Sequence, residues 1–121
     1  MDAALKAIVV PVLRERGFTG SFPHFRRIAA AVDLVTFQFD RNGGGFVIET
    51  AVAKKEGFTT HWGKHIPASK LTAWDLNPNE RKRLKPREGA GTDAWFRFDG
   101  LVSCDAVARE ALSQILRDKN A

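Results

Sequence analysis

The sequence predicts a single α+β domain over residues 1–121, an antiparallel sheet of about four or five strands with an N-terminal and a C-terminal helix packed on one face. Three observations predict it. Leu5, Ile8, Val9, Val12 and Leu13 recur at the spacing of one helical face, and Val107, Ala108, Ala111, Leu112, Ile115 and Leu116 do the same near the other end. Between them, two runs of alternating apolar and polar residues flank a Gly-rich turn, which is the pattern of a β-hairpin.

The first helix is expected over residues 2–16, with Asp2 as its N-cap and Gly17 as its stop. Pro11 lies inside it and leaves the carbonyl of Ala7 without its usual donor, so a bend is expected there. Residues 25–30 read as a first strand. Val35, Phe37 and Phe39 then alternate with Thr36, Gln38 and Asp40, and Phe46, Ile48, Thr50 and Val52 resume the alternation after residues 41–45. This hairpin is expected to bury one face, against the stripe of the first helix. Residues 54–74 keep no period and read as a long excursion with one short strand near residues 58–62. Asn77-Pro78-Asn79 is a turn, residues 81–85 a basic strand and residues 86–91 a loop, after which the alternation around Trp95, Arg97 and Asp99 makes a last strand that ends at Gly100. Either Ser103 or Asp105 can cap the final helix, and Arg117 and Lys119 suit the negative end of its dipole. One core is expected to hold Leu5, Ile8, Val12, Phe37, Phe39, Ile48, Leu112 and Ile115.

A length of 121 residues suffices for one core without staples, and the single Cys104 forms no internal disulfide. No run approaches the roughly 20 apolar residues of a spanning helix, and no cationic leader with a cleavage site opens the chain. A cytoplasmic protein without membrane insertion is the expectation. Oligomeric state is left open.

Charge is distributed unevenly. Residues 54–88 hold nine Lys/Arg against four Asp/Glu, so the whole formal surplus of +5 lies there while the flanks balance. That places the interaction surface in this stretch. If residues 81–87 are extended, Arg81, Arg83, Lys85 and Arg87 project to one side and Lys82 to the other, a linear cationic ridge. Trp62 or Trp74 beside it would stack bases in a nucleic-acid reading. The plainer reading is a charged edge strand that discourages edge-to-edge association. Reversing Arg81, Lys82 and Arg83 to Glu is expected to abolish binding and spare the fold.

The run Leu5-Lys6, Pro11, Leu13, Gly17-Phe18, followed by Phe25 with Arg26 or Arg27, the Phe37-Gln38 strand, the Gly-rich turn with Phe46, then Arg81-x-Arg83-Leu84 and Trp95-Phe96, resembles the bacterial family catalogued as domain of unknown function 4304. The resemblance covers most of the chain, although many members carry two Trp where this chain has Trp95-Phe96. It implies an α+β domain with an antiparallel sheet. It brings no catalytic residues, and a loose association of such domains with toxin and immunity gene neighbourhoods implies a toxin-neutralising role.

The case for chemistry is thin. His61 and His65 would face one metal ion only on a helix, and Gly63 and Pro67 argue against one, so no metal and no cofactor are expected. Cys104 stands where helix N–H groups stabilise a thiolate, but Asp105 opposes that and a small packed residue is the plainer reading. The turn at residues 41–45 joins strand to strand and not strand to helix, so it is no phosphate loop. Glu49, on the strand face opposite Ile48, reads as an acid on an exposed face, the commoner case, with a lone buried acid as the alternative. A non-enzymatic binding protein follows, with an acidic protein, such as a toxin domain, as the expected partner. Nucleic acid is the alternative, and a small enzyme around Cys104, His61 and His65 is third.

Overall fold

The computed structural model describes residues 1–86, 94–100 and 102–119. Residues 2–15 form two helices rather than one, α1 (Asp2–Ile8) and α2 (Val10–Glu15), broken at Val9. Pro11 is the cause: it has no N–H for the Ala7 carbonyl, while Val9 still donates to Leu5 and Leu13 to Val9 on either side of the break. Asp2 is the first helical residue and Met1 occupies the cap position without a side-chain bond. Gly17, at φ +91°, ends the second helix in the left-handed region.

Strands β1 (Thr19–Ser21), β2 (His24–Ile28), β3 (Ala31–Phe39) and β4 (Gly45–Lys54) follow as antiparallel neighbours, and β4 is bordered on its far edge by two short strands, β7 (Arg81–Arg83) and β8 (Phe96–Arg97). The six strands form one sheet. A separate small hairpin pairs β5 (Phe58–Thr59) with β6 (His65–Ile66). Helix α3 (Cys104–Lys119) returns to pack against α1. Ser103 is its cap, since its Oγ accepts the Ala106 N–H at 3.1 Å.

Leu5, Phe37, Ile48 and Ile115 are fully buried in one core between helices and sheet, and Ile8, Phe39 and Leu112 pack at its rim. Val12 is half-buried and is not among its members. The expectation of a hairpin with one covered face is corrected: β3 and β4 are buried on both. Val35, Phe37, Phe46 and Ile48 face the helices, whereas Val32, Leu34 and Ala51 face a second cluster with Leu71, Ala73 and Leu76. Thus the aperiodic excursion is a covering layer. It has no strand ladder to the sheet, and three strand side chains meet its backbone: Arg26 Nε donates to Leu71 O at 2.9 Å, Thr36 Oγ1 accepts from Ala73 N–H at 3.4 Å, and Arg81 Nε donates to Leu76 O at 3.1 Å.

Candidate interaction surface

Strand β7 is short because the turn at Pro78–Glu80 leads into it and Pro86 follows it closely. Leu84 fixes its register, being buried in the helix-side core with its N–H on Ile48 O at 3.0 Å. Since antiparallel pairs alternate, Lys82, opposite Thr50, turns its peptide groups inward to β4, and Arg81 and Arg83 turn theirs outward. Side chains alternate as well, with Lys82 on the helix side and Arg81 and Arg83 on the opposite face, as the extended reading of the stretch expects.

These cations do not make a free ridge. Arg81 Nη1 and Arg83 Nε clamp the two oxygens of Glu49 at 3.2 and 3.3 Å, and the Glu49 side chain is only 7% exposed. The reading of Glu49 as an acid on an exposed strand face is therefore corrected. Lys82 Nζ lies 2.8 Å from Asp118 Oδ1 on α3. Sequence periodicity misses these three pairs because they join positions 32 or more residues apart.

A groove of about 450 Å³ does form nearby, between β7 and α3, where Lys82, Arg83, Leu84, Lys85, Gln114, Arg117 and Asp118 line it. Lys85 and Arg117 are exposed and have no carboxylate within ion-pair distance among the described residues. Arg117 enters the site from a helix whose sequence shows only a favourable dipole position. Arg87 lies outside the described residues.

The tryptophans stand elsewhere. Trp74 sits in a turn over β2, its ring 4.8 Å from that of His24 and at 83° to it. Three strand steps, roughly 14 Å, separate β2 from β7. Trp62 is 69% exposed at the tip of the small hairpin, edge-on to His61. His65 bonds Thr59 through Nδ1 at 3.1 Å. Among the described residues no three His, Cys, Asp or Glu side chains gather as metal ligands. Cys104 is half-buried at the start of α3, on the helix side, while the small hairpin packs through Phe58 and Ile66 against the second cluster.

A polar row crosses the second face: His24, Thr36, Glu49 and Arg83 stand opposite one another on β2, β3, β4 and β7. His24 Nδ1 lies 3.1 Å from Thr36 Oγ1. Burial, and after it the charge of Arg26, lowers the His24 pKa below its ordinary value, with Asp75 opposing. The unfolded chain therefore binds this proton more readily than the fold does. Stability is expected to hold above about pH 6.5 and to fall below it until the lowered native pKa is passed. His24→Asn should flatten that limb of a denaturation-against-pH curve, and parallel curves for the two proteins would refute the assignment. On the helix side, burial likewise lowers the Lys119 ammonium, against Asp33 and Asp118, and its Nζ donates to Ala51 O at 3.1 Å.

These features define a small α+β domain with a cationic groove at one edge of its sheet. The chain belongs to the family described as Domain of unknown function (DUF4304), whose model matches residues 9–118. No curated protein and no solved structure matches it. No helix among the described residues is long and apolar enough to cross a membrane.

Proposed function

We propose that the protein is a non-enzymatic, cytoplasmic binding protein that takes an acidic protein partner at the β7–α3 groove. The observation that carries the reading is the joining of Lys82, Arg83, Lys85 and Arg117 around one groove, with Lys85 and Arg117 lacking internal counter-charges among the described residues. Unneutralised cations at a groove raise the encounter rate with acidic surfaces and select against basic ones. With the family's loose link to toxin and immunity genes, the partner in this reading is a toxin domain that the protein neutralises.

The alternatives draw less support. A nucleic-acid surface would gain from stacking aromatics beside the cations, yet Trp74 is over β2 and Trp62 on the separate small hairpin. An enzyme built on Cys104, His61 and His65 would need groups now divided between opposite faces of the sheet.

The test is a Lys85→Glu, Arg117→Glu double variant, since exposed substitutions shift stability by less than about 0.5 kcal/mol each. Wild type is expected to capture an acidic protein from lysate of the parent cell in a nuclease-resistant form, and the variant to lose it while its melting temperature stays within a few degrees. Nuclease-sensitive capture would favour nucleic acid. Equal capture by both proteins would end the proposal.

A further inference from the structure

We infer that the outer edge of β7 accepts an extended acidic segment of the partner protein as an additional antiparallel or parallel strand. The inference rests on the binding role proposed above and names its mode. Among the described residues β7 is the last strand on its side of the sheet. Its inward peptide groups belong to Lys82, so those of Arg83 and Arg81 face out. Arg81 N–H is already taken by Pro78 O. That leaves Arg83 N–H and C=O and Arg81 C=O as one donor and two acceptors with no partner among the described residues.

The other end of the sheet is built differently. In β1 the outward carbonyl is that of Gly20, and Arg14 Nη2 donates to it at 2.6 Å, so that edge carries an internal lock. β7 carries no such lock. Its protection is charge, and charge discriminates.

A strand laid along β7 sends its side chains alternately to the two faces. On the helix face they meet Lys82 and Arg117, and on the other they meet Arg83, which is 48% exposed beyond its contact with Glu49. Acidic residues of either parity are therefore matched. A second copy of β7 would set Arg and Lys against Arg and Lys, and like charges directly opposite one another destabilise a strand pair. The occupant is accordingly an acidic segment of another protein and not a second copy of this chain. With only three backbone groups on offer, the ladder gives register and orientation while the cations supply much of the attraction.

The probe is a nine-residue acetylated and amidated peptide alternating Asp with Val, compared with a peptide of the same sequence that is N-methylated at every residue, so that neither of its edges keeps an N–H for a ladder and both are sterically blocked from pairing. The Asp-Val peptide is expected to bind at least tenfold more tightly and to slow hydrogen exchange of the Arg83 amide at least tenfold at saturation. Lys85→Glu, Arg117→Glu should weaken both peptides. Equal binding of the two peptides with unchanged Arg83 exchange would overturn strand addition and leave the groove as a purely electrostatic site. Failure of both peptides while an acidic protein is still captured from lysate would also overturn it, without touching the binding role. Loss of that capture as well would remove both. A 15-nucleotide single-stranded DNA that binds more tightly than either peptide, with steep salt dependence, would replace the acidic segment by nucleic acid.

Discussion

A chain carrying Arg81→Glu and Arg83→Glu is expected to be largely unfolded at room temperature. The Glu49 carboxylate is 7% exposed and its two ionic partners among the described residues are these guanidinium groups, at 3.2 and 3.3 Å. Removing one partner of a buried pair costs about 3–5 kcal/mol, and here two new carboxylates would replace both partners. The whole stability of a small domain is only about 5–15 kcal/mol. Arg81 should matter more than Arg83, because its side chain is 20% exposed against 48% and it also holds the Leu76 carbonyl. Solvent screens the more exposed pair. Circular dichroism and urea unfolding of the single and double variants measure this, and adding Glu49→Gln to the double variant should restore part of the loss. A double variant within about 1 kcal/mol of wild type would show that the clamp contributes little. The burial of Glu49 against Arg81 and Arg83 argues against the expectation that reversal of this segment spares the fold, and Lys85 and Arg117 are the positions at which charge can be changed with less risk to folding.

Phe37→Ala should cost about 3–5 kcal/mol. Phe37 is 1% exposed and its ring meets those of Phe22, Phe25 and Phe46 at centroid distances of 5.5, 6.3 and 6.1 Å. No small side chain fills the space among three aromatic neighbours. A shift in denaturant unfolding below about 1 kcal/mol would mean that the core is not organised around this ring.

What was legible in the sequence was local. The disturbance of the first helix at Pro11, expected as a bend, the hairpin on either side of Gly43 and Gly44, and the final helix all follow from periodicity and backbone preference, properties that a window of a dozen residues contains. The second buried face was not legible, because Leu71, Ala73 and Leu76 cover it from turns with no period to reveal them. The site suffered most. Arg81, Lys82 and Arg83 read as surplus charge, since their counter-charges, Glu49 and Asp118, come from a distant strand and helix. Arg117 joined the groove only through the packing of α3 beside β7. Long-range pairing of this kind leaves no mark on neighbouring residues.

The layer over the second face meets the sheet at separate points: Arg26 on Leu71, Thr36 on Ala73 and Arg81 on Leu76. A ladder fails cooperatively, because each bond holds its neighbour in register. Pegs fail one at a time. Loosening of this layer is therefore graded, with Leu71, Ala73 and Leu76 each tied to the fate of a different strand, while the strand pairings beneath them stand or fall together. One side of the molecule yields by degrees, and the helix side, closed by a continuous core, does not.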